Sequence, residues 1–303
     1  MQPLIRWTVL TGLCLLTPQW AAGETVVFET TSPYHHIKVV DRDQLRTLHF
    51  DNTHQSQISL NDPLQGHFEY TEYFHMPWLW NPEIKSVYMV GLGGSSIQRA
   101  FEAYWPQAKT ETAELDPKVI EAAKDFFQFK ETDRMKVFLG DGRLHLRRTQ
   151  KKYDLVILDA YTANRYSSYI PHALVTKEFF ALVNAHLTDQ GVLAYNVIGS
   201  VTDTRKSIVG SIYNTLKASF PQVYLFPAEG SFNVVMVATK SKQRVTKPLL
   251  KQRLDKWTAA SEVTFPNFQK RLRQFRATPP ASAKKSEILT DDFAPVDGLL
   301  RTR

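Results

Sequence analysis

Short apolar runs alternate with amphipathic stretches from Lys85 to Ala238. Ser86–Val90, Thr110–Leu115, Lys136–Leu139 and Tyr153–Leu158 have strand length, and Ser95–Tyr104 and Pro117–Phe127 follow the first two with helical spacing. Tyr153–Leu158 is nearly unbroken in apolar character, which marks a strand covered on both faces in a parallel sheet. A helix over Thr176–His186, a strand over Gly191–Val197 and a helix over Asp203–Ser219 come next. Gln222–Phe226 and Phe232–Ala238 are expected to close the sheet as an antiparallel pair. Alternation of this kind predicts an α/β fold with a doubly wound sheet over residues 86–240, its ligand at the carboxyl ends of the strands.

The flanking regions differ. Glu24–Thr30, Tyr34–Val40, Arg46–Phe50 and Gln57–Leu60 read as strands, so residues 24–85 are expected to form a small β-rich N-terminal domain. Its aromatic end, Tyr70–Trp80, reads as a helix. Residues 241–303 are basic, with helices expected at Leu249–Trp257 and around Phe268–Phe275, then a Pro/Ala/Ser/Lys linker and a tail.

Residues 1–23 carry the marks of an export signal: Arg6 near the amino terminus, the apolar run Trp7–Leu16, a break at Pro18, and Ala21-Ala22-Gly23 before Glu24. A bilayer-spanning helix needs about 20 apolar residues, more than this run or any other window supplies. A periplasmic or exported chain is expected; the alternative is an uncleaved anchor with a cytoplasmic domain. Cys14 is the single cysteine, which excludes a disulfide framework and a thiolate zinc site.

Of the 303 residues, 43% are hydrophobic and 22% charged, which excludes a disordered or low-complexity chain. The net charge of +7 is local, because residues 240–285 hold thirteen basic and two acidic side chains. No nucleic-acid partner is expected, and the basic stretch is read as a solvated helical face, with contact to anionic lipid or nucleic acid as the alternative.

Candidate chemistry sits at the strand ends. Gly91-Leu92-Gly93-Gly94 follows the first strand and opens a helix, where bare backbone lets a ligand approach the helix amino terminus. Ser96 stands where a dinucleotide fingerprint has its third glycine. Glu114 ends the second strand, a place from which an acid accepts both hydroxyls of a ribose; a nicotinamide cofactor would share these features. Gly140-Asp141-Gly142 follows the third strand, where an acid can hold an adenine amino group, and Asp159 ends the fourth. A glycine turn, Glu, Asp and Asp at four successive strand ends is the layout of S-adenosylmethionine-type folds.

The segments Val87–Gly94, Ala113–Ile120, Leu139–Gly142 and Tyr153–Ala160 resemble the spermidine synthase (polyamine aminopropyltransferase) family, most closely its bacterial spermidine synthase-like branch. Ile170-Pro171-His172-Ala173-Leu174-Val175-Thr176 and the ending Thr290–Val296 are similar to segments of that branch. Phe50–Gln55 looks like the family segment that ends in a ligand-contacting Gln, and Tyr70-Thr71-Glu72 looks like its Tyr-His-Glu. The resemblance runs from Tyr34 to Ala238 and includes the tail. It implies an S-adenosylmethionine-dependent methyltransferase-like (Rossmann-like) sheet behind a β-rich N-terminal domain.

It also implies transfer of an aminopropyl group from decarboxylated S-adenosylmethionine to a small amine or polyamine, releasing methylthioadenosine, with no metal and in a homodimer. A free primary amine has a pKa near about 10.4, so a carboxylate must orient it and accept its proton. By resemblance Asp159 is that base and Tyr70 positions it. Gln55, Gly91, Gly93, Gly94 and Glu114 would hold the nucleoside, and Asp141 and Gly142 its adenine. Glu72, Tyr161 and Asp292 would face the acceptor.

Two positions depart from the family. Gly94 stands where its glycine loop carries an Asp that grips the donor's amino group. In Asp159-Ala160-Tyr161-Thr162, Thr162 replaces the last residue of the Asp-Ser-Ser-Asp motif, which helps bind the diamine. Two other readings therefore stay open: a methyltransferase using S-adenosylmethionine, and an exported polyamine- or nucleoside-binding protein without catalysis. His35-His36 is read as a surface pair rather than a metal site. Tyr70, Tyr73, Phe74, Trp78 and Trp80 are read as core between two domains, and Asp291-Asp292 as either a cation pocket or a turn with a terminal cap.

Overall fold

The computed structural model describes residues 23–163, 168–260, 262 and 265–299, so the export signal expected over residues 1–23 lies outside the described residues but for Gly23. The alternating segment that follows forms four antiparallel strands in sequence order, β1 (Thr25–Thr31), β2 (His36–Arg42), β3 (Leu45–Phe50) and β4 (Thr53–Ser59). An eleven-residue helix, Glu69–Leu79, then leads into the second sheet.

That helix is of the tight 3-10 kind, where the pattern predicted an ordinary helix over Tyr70–Trp80. Runs of this length are unusual for 3-10 geometry, and Pro77 inside it has no N–H to donate. Tertiary packing holds it: every residue from Thr71 to Leu79 is buried, leaving no solvated face of the sort an amphipathic helix keeps. Tyr73, Phe74, Met76 and Trp78 join one core with strand and C-terminal residues, as expected of an aromatic stripe.

The second sheet is built from β5 (Ser86–Val90), β6 (Lys109–Glu114), β7 (Met135–Leu139) and β8 (Tyr153–Leu158), with helices α1 (Ser96–Tyr104), α2 (Pro117–Phe126) and α3 (Gly142–Arg148) between them. A short hairpin follows, β9 (Thr162–Ala163) with β10 (Ser168–Tyr169), then α4 (Lys177–His186), β11 (Leu187–Ile198), α5 (Ile208–Ser219), β12 (Gln222–Pro227) and β13 (Asn233–Thr239). The seven strands lie in the order β12-β13-β11-β8-β5-β6-β7. β5 pairs parallel with both β6 and β8, and β12 pairs antiparallel with β13, as the apolar pattern predicted. The order reverses at β5 and β8, so the crevice of this doubly wound sheet opens at their carboxyl ends.

The helix expected over Asp203–Ser219 begins only at Ile208, where the Ser207 hydroxyl accepts the Gly210 N–H at 3.3 Å. Upstream, the Asp203 carboxylate accepts the Arg205 N–H at 2.9 Å, a local turn that competes with helix. The N-terminal sheet packs on α2 through Ile37, Val39, Leu48, Phe50 and Ile58 against Val119, Ala122 and Phe127. Arg46 fastens the same seam, gripping Asp41 through two bonds of 2.7 and 2.8 Å and donating to the Phe126 carbonyl at 2.9 Å.

The basic C-terminal region is more than a solvated face. Helix α6 (Lys247–Ala259) buries Leu250 and Leu254, and α7 (Phe268–Leu272) buries Arg271, which is only 4% exposed. Arg271 donates to Glu72 at 2.5 Å and to Glu69 at 2.7 Å, so it clamps the 3-10 helix from outside the sheet. Burial pushes the Glu72 carboxyl up, but hydrogen bonds from His67 and Arg271 outweigh that and hold it at about 2. A depressed carboxylate stabilises the fold above its unfolded pKa, near about 4.3, and that stability is lost as pH falls through the folded value. Denaturant titration of Arg271→Met is expected to show a loss of about 3 kcal/mol, because buried Glu72 and half-buried Glu69 lose their shared cation. Glu72→Gln should remove most of the extra acid sensitivity between pH 4.5 and about 2; wild-type stability for Arg271→Met would contradict the clamp.

Candidate active site

The crevice exists because two strand ends touch at a glycine. Gly91 follows β5 with φ +100°, and a Cβ there would stand 2.3 Å from the Asp159 carbonyl oxygen, beyond any tolerable contact. The backbone runs on from β5 into the glycine turn, while Asp159 follows β8 with its N–H donated to the Val90 carbonyl at 3.0 Å. Above this junction lies a cleft of about 150 Å³ between the carboxyl ends of the strands and the N-terminal sheet.

Gln55, Tyr70, Gly91, Gly93, Glu114, Asp141, Gly142, Asp159 and Tyr161 all line this cleft. Three expected residues do not. Gly94 lies behind the turn: its N–H donates to the Ser56 hydroxyl at 2.8 Å, and a Cβ would stand 2.8 Å from both Ser56 and the Phe127 ring. The place of the family's Asp is therefore closed off by Ser56 of the N-terminal sheet and by Phe127 at the end of α2. Glu72 is drawn out of the cleft by Arg271, His67 at 3.0 Å and Asn267 at 3.0 Å. Asp292 is exposed in the turn closed by the Phe293 N–H to the Thr290 carbonyl at 3.0 Å, and its neighbour Asp291 takes the cationic partner, Arg143, at 2.6 Å.

Asp159 is partly exposed where it lines the cleft and enclosed by protein elsewhere. Two side chains donate to it, the Tyr70 hydroxyl at 3.2 Å and the Asn196 amide at 2.8 Å. Desolvation dominates and pushes its carboxyl up to about 6, while the bonds from Asn196 and Tyr70 pull it part of the way back. Asn196 is oriented in turn by Asn233, whose amide donates to its Oδ1 at 3.0 Å. The Tyr161 hydroxyl donates to the Asn196 carbonyl at 2.9 Å and accepts the Ile198 N–H at 3.1 Å, so its ring is fixed beside Asp159. Burial raises the Tyr70 and Tyr161 phenols well above their ordinary value, so both stay protonated and act as donors.

At the other end, Glu114 accepts the Leu92 N–H at 2.9 Å and the Asp116 N–H at 3.0 Å, which pins its carboxylate beneath the glycine turn. Burial raises its pKa, against those two backbone bonds. Asp141 caps α3, accepting the Leu144 N–H at 2.7 Å, and Gly142 packs so closely on Val90 that a Cβ would stand 2.7 Å from it. Asp116 caps α2 and also accepts the Ser32 hydroxyl.

Sequence reasoning missed Asn196, Asn233 and His35. A lone amide in the apolar run Gly191–Val197 is the signal that Asn196 has a buried partner. His35, expected on the surface, is 8% exposed, lines the cleft and stacks on Phe50 with ring centroids 4.2 Å apart. His36 does face solvent and pairs with Glu29 at 2.9 Å. Among the described residues no group of three or more His, Cys, Asp or Glu is placed to hold a metal.

A methyltransferase-type Rossmann-like sheet behind an antiparallel β-sheet, with acids at successive strand ends, defines the class of this protein. Residues 67–243 match the family described as spermine/spermidine synthase domain, which is more than half the chain, and the chain belongs to that family. Homologues named polyamine aminopropyltransferase are transferases; that of Vibrio vulnificus is 29% identical over 217 residues, covering 67% of this chain and 71% of that one. Among solved structures, a probable spermidine synthase from Corynebacterium glutamicum shares the fold with a TM-score of 0.65 at 15% identity, over 92% of this chain and 100% of that one. Human methyltransferase-like protein 13, solved in complex with SAH, gives a TM-score of 0.55 at 25% identity, over 70% of this chain and 95% of that one.

The Asn196 bond is open to a direct check. Asn196→Leu removes the closer donor to Asp159, so carbon-13 NMR of the aspartate carboxyls is expected to show Asp159 titrating above its starting value of about 6. An unmoved titration would mean that the amide does not tune this carboxyl.

Proposed function

We propose that the chain moves an aminopropyl group from decarboxylated S-adenosylmethionine to an amine, releasing methylthioadenosine. One observation carries the reading. Four carboxylates line the cleft, Glu114, Asp116, Asp141 and Asp159, and among the described residues no Lys or Arg does. The decarboxylated donor bears a sulfonium and an ammonium and no carboxylate, so both its charges are opposite in sign to this lining. S-adenosylmethionine brings a carboxylate, for which the cleft offers no Lys or Arg among the described residues. In this reading Glu114, at the end of β6, takes the ribose hydroxyls and Asp141, after β7, the adenine amino group; that both line the cleft supports it.

The reaction is a displacement at the carbon beside the sulfonium. The acceptor enters as an ammonium and gives one proton to Asp159. Its nitrogen lone pair then forms the new N–C bond as the C–S bond breaks, and that electron pair goes to sulfur. The product leaves as a secondary ammonium. A carboxyl at about 6 is mostly ionised at pH 7, ready to accept that proton, and it returns the proton to solvent readily afterwards. Tyr70 and Asn196 fix which oxygen lone pairs remain free for the amine.

Methyl transfer from S-adenosylmethionine is the second reading, favoured by Gly94, which leaves the glycine turn without an acid for the donor's amino group. The products separate the two. Incubation with decarboxylated S-adenosylmethionine and amines is expected to yield methylthioadenosine, with kcat falling as pH drops through about 6 and Asp159 takes up its proton. Asp159→Asn should lower kcat by about 10²–10⁴-fold while methylthioadenosine still binds. S-adenosylhomocysteine from S-adenosylmethionine, with no methylthioadenosine, would overturn the proposal.

A further inference from the structure

We infer that the acceptor is an amine with one cationic nitrogen and an uncharged remainder, rather than a diamine or longer polyamine. The inference rests on the aminopropyl-transfer reading and concerns the Asp159 end of the same cleft. The strand order spreads the four carboxylates unevenly: Glu114 and Asp116 stand at the end of β6 and Asp141 beyond β7, on the far side of β5 from Asp159. Among the described residues of the lining, Asp159 is the only carboxylate on its own side. Its neighbours in the lining are rings and hydroxyls, Phe68, Tyr70, Thr71, Tyr161 and Thr162.

Two acids adjacent to this end are spent elsewhere. Glu69 and Glu72 flank Tyr70 in the 3-10 helix, yet neither lines the cleft. Arg271 takes both, and Glu69 also accepts the backbone N–H groups of Glu229 at 3.2 Å and Gly230 at 2.7 Å. From Ala160 to Lys177 the sequence contains no Asp or Glu, so the connection after Asp159 brings no further negative charge.

A second ammonium drawn into this end would lose its hydration with no carboxylate to replace it. A single amine meets Asp159, gives up its proton there, and lays an apolar or aromatic remainder against the rings. The competing possibility, a second cation held on the ring faces, makes the opposite prediction for a diamine.

Butylamine and 1,4-diaminobutane differ at one end only and serve as probes. Calorimetric titration of each into the full chain saturated with methylthioadenosine gives binding. Methylthioadenosine release from decarboxylated S-adenosylmethionine gives kcat/KM. Butylamine is expected to exceed the diamine by about tenfold or more in both. Thr162→Asp, which adds a carboxylate beside Asp159, is expected to reverse that order. Equal or better binding of 1,4-diaminobutane by the wild-type chain, or no binding of either amine, overturns the inference. Release with neither amine overturns the transfer reading, and the binding order then decides the acceptor inference by itself.

Discussion

A carboxylate enclosed by protein must be met by donors, and Asp159 is met by two that come from different elements. Tyr70 comes from the 3-10 helix that precedes β5, and Asn196 from β11. Each donor has its own anchor. Arg271, from the basic C-terminal region, holds Glu69 and Glu72 on either side of Tyr70, and Asn233 at the start of β13 holds Asn196. Glu69 links the arms, because it also accepts N–H groups from the loop between β12 and β13. The C-terminal region thus bears on the site although it lies outside residues 67–243, the part that matches the family.

Charge placement explains what the cleft can hold. Thirteen basic residues crowd positions 240–285, yet among the described residues no Lys or Arg lines the cleft. The cleft wall given by the N-terminal sheet is neutral, with Gln55, Ser56 and Gln57, and the opposite wall carries the acids. Ser56 of the N-terminal sheet and Phe127 at the end of α2 together occupy the space behind Gly94, which leaves no room there for an acidic side chain. On the proposed reading, recognition of a cationic donor falls to the field of the four carboxylates rather than to one loop residue.

Much of this was legible in the sequence, for physical reasons. Strand and helix periods survive in the amino-acid pattern, so the doubly wound sheet, its antiparallel closing pair and the β-rich start could be read directly. Acids at strand ends are placed by the strands themselves, so Glu114, Asp141 and Asp159 fell into one cleft as expected. Contacts between distant segments were not legible. Glu72 and Arg271 are 199 positions apart, and nothing local announces that one will take the other. Asp291 and Asp292 are neighbours in a turn, and among the described residues Arg143 pairs with the first. His35 lies just before β2 and lines the cleft, whereas His36 opens β2 opposite Thr31 of β1 and pairs with Glu29, an outcome decided by where the strand begins rather than by residue type.

The central claim is that a cleft lined by four carboxylates and, among the described residues, by no Lys or Arg selects a donor without a carboxylate. Calorimetric titration of the chain with decarboxylated S-adenosylmethionine and with S-adenosylmethionine tests it without requiring an acceptor or turnover. The account predicts that the decarboxylated form binds more tightly, by about tenfold or more. Equal affinity, or tighter binding of S-adenosylmethionine, would contradict it.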